Sequence, residues 1–439
     1  MLKTLLSHKL TLLVGLFLLL QLPLHSIMEL NAERQAYRGE ALSQITASSS
    51  GPQRLTGPVL VIPYEETSRE YVEAEKKYKI YVTSKQQLLL PEELKVEGQL
   101  QVEPRKLGIY QSQLFNGQFT FNGHFVMSGL EALQKENITL GQPYLAVMIA
   151  DARGILQVPA LQWGEQSLNF QPGAHFGSGV QGIHTPLPLA SLQSGAAIPF
   201  QFALTLQGTD HLALVPVGAN SQLKLTSNWP HPSFIGNYLP RQHQINDKGF
   251  TANWQSSWFA NNLQERFSSE EVDVETLPAF TVSLIEPVDH YQQNERASKY
   301  GILFIGLTFL SFFLFELLKK LRLHPIQYLL VSMAQIIFYL VLLALSEQIG
   351  FSLAYLAASL ACVGLLAYYA SHLLGSLKRG LGFAALLTLL YAILYGLMQA
   401  EEIALLLGSG LLFVVLAIVM VVTRKVDWYQ IGLADKKEE

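Results

Sequence analysis

Six long apolar stretches govern what this chain can become: residues 10–28, 300–318, 326–345, 350–372, 381–398 and 403–423. The hydrocarbon core of a bilayer is about 30 Å thick, and roughly 20 apolar residues in a helix cross it. A helix satisfies its own backbone polar groups where lipid offers no partner. Between Ala297 and Thr423 only ten side chains are charged: Lys299, Glu316, Lys319, Lys320, Arg322, Glu347, Lys378, Arg379, Glu401 and Glu402. Turns of a few residues join the last five stretches, so neighbours run antiparallel. The first stretch, preceded by Lys3 and Lys9, has the outline of a secretory signal. Its apolar run continues past Pro23 without a small-x-small cleavage site, which reads as an uncleaved signal anchor.

Charge sets the orientation. Outside residues 29–299 the chain carries eleven Lys and Arg residues, among them Lys3, Lys9, Lys319, Lys320, Arg322, Lys378, Arg379, Arg424 and Lys425. With both termini in the cytoplasm, all of them fall on that side, as the positive-inside rule requires. The opposite turns, 346–349 and 399–402, carry only Glu347, Glu401 and Glu402. The expected order is a cytoplasmic N-terminus and signal-anchor helix (1–28), an extracytoplasmic domain (29–299), a five-helix bundle (300–423) and a cytoplasmic tail (424–439).

Within 29–299, residues 29–45 read as a polar helix, broken by Ser48-Ser49-Ser50-Gly51-Pro52. Short strands follow at 59–62, 78–82, 108–110, 119–125, 144–149, 200–206, 222–226, 251–258 and 280–284, with helical pieces near 130–134 and 261–267. The expectation is an α+β membrane protein: six transmembrane helices with a large β-rich, antiparallel sandwich-like domain between the first and second. The sole cysteine, Cys362, excludes an internal disulfide framework and a cysteine-cluster metal site. A net charge of −4 gives no reason to expect nucleic acid.

Chemistry-bearing motifs are sparse. Gly177-Ser178-Gly179-Val180-Gln181-Gly182 has the G-x-G-x-x-G spacing, but His184-Thr185-Pro186-Leu187-Pro188 forbids the helix a dinucleotide site needs. Ser221 and Lys224 fit S-x-x-K, yet in an alternating strand they face opposite ways. His175, His184, His211, His231 and His243 lie nine to twenty-seven residues apart, a spacing of solvated loops rather than of metal ligands. Asp151 and Arg153 share a strand face and suit a local ion pair or turn anchor. Trp229-Pro230-His231-Pro232 and the pair Trp254 and Trp258 suit sheet packing, a partner hot spot or a lipid headgroup layer. The spans keep their ionisable groups at the ends, and Gln335 and His372 are the main polar interruptions.

Several stretches together resemble the CreD family of inner-membrane proteins of Gram-negative bacteria, a cell-envelope integrity family. They are SGPQRL at 50–55, RKLGIY at 105–110, NITLG at 137–141, DARG at 151–154, LTSNWPHPSF at 225–234, WQSSWFANN at 254–262, RLHPIQYLL at 322–330 and DWY at 427–429. The likeness runs from the first span to about Tyr429. It implies an inner-membrane protein tied to a two-component envelope and metabolic response, with effects on colicin tolerance and, in some species, on β-lactam response. It implies no reaction and no catalytic residue.

The expected function is therefore non-enzymatic, with no cofactor and no metal. The extracytoplasmic domain binds or scaffolds an envelope protein or cell-wall component, and the lipid bilayer is the other partner. Two readings from other classes stand beside it. One is an envelope-modifying hydrolase built on Asp151, Arg153 and His231; the other is a small-solute transporter. A reporter fused near position 150 is expected to be active only if it works outside the cytoplasm; activity from a reporter confined to the cytoplasm would overturn the orientation.

Overall fold

The computed structural model describes residues 2–424, apart from 73–76, 158, 178, 190–194, 268–271, 285–289, 320–322, 374 and 400–403. Ser178, Lys320, Arg322, Glu401, Glu402 and the tail 425–439 with its DWY text lie outside the described residues. Two compact units emerge: residues 1–39 with 288–439, and residues 40–287.

The chain begins with helices α1 (Leu2–Leu19) and α2 (Gln21–Ser48). Strands β1 (Gln53–Val72), β2 (Lys77–Leu89), β3 (Glu93–Leu107), β4 (Tyr110–Val126), β5 (Ile138–Leu140) and β6 (Tyr144–Ile149) follow. Next come β7 (Ala160–Trp163), β8 (Gln166–Asn169), β9 (Gln171–Pro172), β10 (Gly182–Pro186), β11 (Ala197–Thr209) and β12 (His211–Val215). The β region closes with β13 (Asn220–Ser227), β14 (Ser233–Gly236), β15 (Gln242–Asn246), β16 (Gly249–Ser257), the short helices α3 (Trp258–Asn261) and α4 (Leu263–Phe267), and β17 (Phe280–Ser283). Five long helices complete the chain: α5 (His290–Lys319), α6 (Pro325–Ile349), α7 (Phe351–Leu373), α8 (Leu377–Gln399) and α9 (Ala404–Thr423).

In residues 40–287 the strands form a nine-stranded sheet, ordered β14-β17-β12-β1-β6-β10-β9 with β2 and β5 also on β1, and an eight-stranded sheet, β15-β16-β13-β3-β4-β11-β7-β8. Most pairs are antiparallel, but β1 runs parallel to β12 and β3 parallel to β13. The sheets are thus mixed but mostly antiparallel, in keeping with the β-rich, sandwich-like domain expected from the sequence. The strands are also longer than their apolar runs suggest. Hairpin pairing carries β1 and β2 out to Val72↔Lys77, through residues such as Arg69 and Lys79 that alternation alone would leave in a loop.

One apolar core lies between the sheets. Alternate residues of β3, among them Leu94, Val96 and Leu100, are buried, as are Phe115, Phe119, Phe121 and Phe125 of β4. Phe121 stacks on its cross-strand partner Phe202 at 4.5 Å, and Phe170 meets Phe202 edge-on at 5.3 Å. Glycine is required beside these rings: a Cβ at Gly117 would stand 2.5 Å from the Phe119 ring. Across the sheets, Trp254 of β16 lies 6.2 Å from Phe280 of β17.

The helical unit has its own apolar interior. Phe312 meets Phe383 at 4.5 Å, and Phe338 meets Tyr391 at 4.7 Å. His324 opens α6: its ring accepts from the Ile326 N–H, Gln327 accepts from the His324 N–H, and Pro325 sits at the first helical position. Buried polar groups are paired in places, as where Gln335 donates to Thr308 at 2.6 Å. Near the end of α6, Glu347 accepts two bonds from Arg34, at 2.6 and 2.7 Å, and one from the Tyr291 hydroxyl at 2.8 Å. The bidentate geometry suits a carboxylate that is almost fully covered.

Phe202→Ala removes a ring held between Phe121 and Phe170 and is expected to cost the β domain roughly 3–5 kcal/mol. Denaturant unfolding of the full chain, followed by tryptophan fluorescence, measures it; a loss below about 1 kcal/mol would show that this layer is not close-packed.

Candidate functional site

The DARG text forms a bracket rather than part of a strand. β6 ends at Ile149, and Asp151 caps a single 3₁₀ turn over Ala152–Gly154. The Asp151 carboxylate accepts from the Gly51 N–H at 2.9 Å, from the Arg153 N–H at 3.1 Å and from the Arg153 guanidinium at 2.6 Å. Arg153 also donates to the Ala47 carbonyl at 2.9 Å. The Gln53 amide donates to the carbonyls of Asp151 (3.0 Å) and Gln207 (2.8 Å). Gly154 leaves room for this, since a Cβ there would lie 2.2 Å from the Gln207 oxygen. The Arg153 guanidinium, and then the Gly51 and Arg153 N–H groups, outweigh partial burial and hold the Asp151 carboxyl down at about 2.

The glycine loop sits beside this bracket. The Ala152 N–H donates to the Gln181 side chain at 3.0 Å. Strand β10 follows the loop, so no helix N-terminus is there to receive a phosphate. Ala174 and Phe176 are buried and pin the loop, Phe176 packing against Phe267 at 6.2 Å. Gly177 and Gly179 adopt φ of 76° and 82°, which side chains with a Cβ rarely reach. Between bracket and loop opens an apolar cleft of about 610 Å³, lined by Ile155, Pro159, Phe170, Gly173, Val180 and Ile183. Phe170 forms its inner wall through the contact with Phe202.

On the strand that ends the loop, His184 is buried, and its ring nitrogen lies 2.7 Å from the Gly173 carbonyl. The His175 and His184 rings approach to 4.1 Å, and the Tyr144 hydroxyl donates to the His175 carbonyl at 2.7 Å. Linear spacing concealed this pair, because strand β10 folds back beside the residues that precede the loop. Among the described residues no group of three or more His, Cys, Asp or Glu side chains is placed to hold a metal ion.

The other residues of interest scatter. Trp229 donates to the His231 carbonyl at 2.8 Å and packs on the edge of the core. His231 lies in the connection from β13 to β14, and β13 is three strands from β11 in its sheet, whereas the bracket sits against Gln207 of β11. None of the described hydrogen bonds, ion pairs or ring contacts joins His231 to Asp151 or Arg153. Trp254 is core, its indole donating to the Tyr238 carbonyl at 3.1 Å. Trp258 does not share its strand face, because β16 stops at Ser257 and Trp258 begins α3. It is 39% exposed, next to a Phe259 that is 99% exposed. Ser221 is buried and Lys224 exposed on β13, so they point to opposite faces.

A family model described as inner membrane protein CreD matches residues 5–429. The inner membrane protein CreD of Escherichia coli (strain K12) is 43% identical over 440 residues, covering 100% of this chain and 97% of that protein. The chain belongs to the CreD family. As a CreD protein with, among the described residues, six helices long and apolar enough to cross a bilayer, it is a multi-pass inner-membrane protein. Among solved structures, an M1 zinc metallopeptidase of Deinococcus radiodurans, a point mutant bound to a Tyr-Ser-Ala substrate, is 12% identical. That match covers 44% of this chain and 42% of the peptidase at a TM-score of 0.22. The M1 zinc metallopeptidase itself matches at 10% and 0.20, with the same coverage. Likeness so slight says nothing of CreD chemistry.

A carboxyl held low in the folded state stabilises the fold fully above its ordinary value of 3.8 and loses that contribution as pH falls through about 2. Asp151→Ala is therefore expected to cost roughly 1–2 kcal/mol near neutral pH, with the gap to the parent chain closing between about pH 4 and pH 2. Unfolding midpoints across that range measure it; a gap independent of pH would sink the assignment.

Proposed function

We propose that this CreD protein is a non-enzymatic component of the cell envelope whose β domain, on the periplasmic side, binds an envelope component that presents an apolar segment. The distribution of Lys and Arg around the spans supports this orientation, with both termini cytoplasmic and residues 29–299 periplasmic. The observation that carries the binding reading is the apolar cleft of about 610 Å³ beside the glycine loop. Pockets that take ligands fall between roughly 300 and 1,000 Å³ and are mostly apolar with a few polar groups at the rim. Here Gln171 and Gln181 supply those groups. The loop has the means to adapt: its glycines give freedom at the tip, while Ala174 and Phe176 fix its base.

The cell-envelope integrity and stress role implied by the family resemblance fits a membrane-tethered receptor or scaffold. The hydrolase alternative needs Asp151, Arg153 and His231 at one cleft, and the bracket engages Asp151 and Arg153 in holding Gly51 and Ala47 instead.

A photo-crosslinking residue in place of Val180, in the full chain in its native membrane, is expected to give a saturable adduct. The same residue in place of the exposed Glu165 should give none, and Ile155→Trp, which fills the cleft, should abolish the Val180 adduct. Failure to form any adduct at 180 under envelope stress would reject the proposal.

A further inference from the structure

The hairpin of β3 and β4 outruns its neighbours. Its register runs from Glu93↔His124 to Leu107↔Tyr110. β13 accompanies β3 only as far as Leu100, and β11 accompanies β4 only as far as Leu114. Beyond these points the two strands continue past their sheet neighbours, with Val102, Ser112 and Gln113 still buried, to an exposed tip closed by Gly108, at φ 62°, and Ile109. The tip is exposed and of one chemical character. Leu107 is 41% and Ile109 45% exposed, and Arg105 and Lys106 stand beside them; Glu103 and Pro104 lie further back. Aliphatic side chains exposed at the apex of a hairpin gain nothing from solvent.

The ribbon points to the end of the domain where the chain comes in and leaves. There the Ser50 hydroxyl donates to the Gln207 carbonyl at 2.8 Å, and Thr209 donates to the Ser50 carbonyl at 3.1 Å. At the same turn the Leu284 N–H donates to the Asp210 carbonyl at 2.7 Å. The ribbon of β1 and β2 points the opposite way, because β1 starts at this end. Chain length sets the reach. From Asn116, paired with Gln207, the tip lies seven to eight residues on, about 23–26 Å.

We propose that Arg105, Lys106, Leu107 and Ile109 form a lipid-docking finger that enters the headgroup layer of the anionic bilayer in which the same chain is embedded. The two cations engage lipid phosphates while the two aliphatic side chains enter the acyl boundary, the division of labour that amphipathic interfacial segments use. This goes beyond the binding reading above and holds whatever occupies the cleft.

The test uses the full chain with Cys362→Ala, spin-labelled at Ile109→Cys and, as a control, at Ile80→Cys on the opposite ribbon. Each is reconstituted into liposomes containing phosphatidylglycerol or into pure phosphatidylcholine. In the anionic liposomes the label at 109 is expected to collide several-fold more with oxygen relative to a water-soluble nickel chelate than the label at 80. Adding Arg105→Gln and Lys106→Gln should reverse that preference, and phosphatidylcholine should weaken it. All four positions are exposed, and the thermal midpoint of each variant reports that the fold is kept. Nickel access at 109 equal to that at 80, or protection that ignores both the lipid charge and the Arg105→Gln and Lys106→Gln changes, would overturn the finger; the latter result would mean a protein contact instead.

Discussion

A domain inserted between two membrane helices must bring its two ends together, and in this chain the turn between β11 and β12 does so. Thr209 holds Ser50 on the way in, through its hydroxyl and through its N–H to the Gly51 carbonyl at 3.2 Å. Asp210, at φ 63°, holds Leu284 on the way out. The strand order follows from this clasp. β12 leaves the turn with β1, the incoming strand, on one side and β17, the outgoing strand, on the other. A parallel β1–β12 pair is unusual for strands so placed, but only a parallel neighbour starts at the same end as the strand after the turn. Burial pushes the Asp210 carboxyl up and the His211 imidazole down, so both groups lean toward their neutral forms at the neck.

Much of the scheme was legible because lipid and strand pleat impose simple periods. Six apolar runs could not be anything but spans or buried helices, and the alternation in residues 222–226 or 119–125 could only be strand. The helical pieces near 130–134 and 261–267 also stood out, and they correspond to a 3₁₀ turn at Leu130–Leu133 and to α4. What stayed hidden depends on distant partners. The far reaches of β1 and β2 carry Glu66, Arg69, Lys77 and Lys79, and cross-strand pairing, not apolar pattern, makes them strands. The two parallel pairs require knowing which ends meet. Trp254 and Trp258 looked equivalent four residues apart, yet the turn into α3 at Trp258 buries one and exposes the other.

The bracket and the loop show why motif spacing misleads when context is ignored. In the G-x-G-x-x-G text the first two glycines serve the positive φ of the loop, and the third has a steric reason internal to the sheet. At Gly182 a Cβ would lie 2.2 Å from the Val147 carbonyl oxygen, which the pairing of β10 with β6 does not allow. Asp151 and Arg153 look catalytic by residue type. Their partners, however, are backbone groups of Gly51 and Ala47, and a carboxylate already accepting from two backbone N–H groups and a guanidinium has little basicity left for proton transfer. The His175 and His184 pair was missed for the opposite reason: nine residues of separation look remote until the loop doubles back.

Two kinds of exposed apolar surface on the β domain therefore call for different explanations. The cleft beside the glycine loop is concave, lined by Phe170, Ile155 and Val180, and none of its described lining residues is charged. Selectivity there must come from shape, with the glutamines at the rim setting orientation. The β3–β4 tip is convex, and its two aliphatic side chains come with two adjacent cations. A convex apex cannot desolvate a small ligand on several sides, so its apolar area is satisfied only by a medium that closes around it. A bilayer interface is such a medium, and it also supplies the anionic counterpart that Arg105 and Lys106 lack in the hairpin register, where they face Ser112 and Gln111. Concavity without charge selects a ligand; convexity with charge selects a surface.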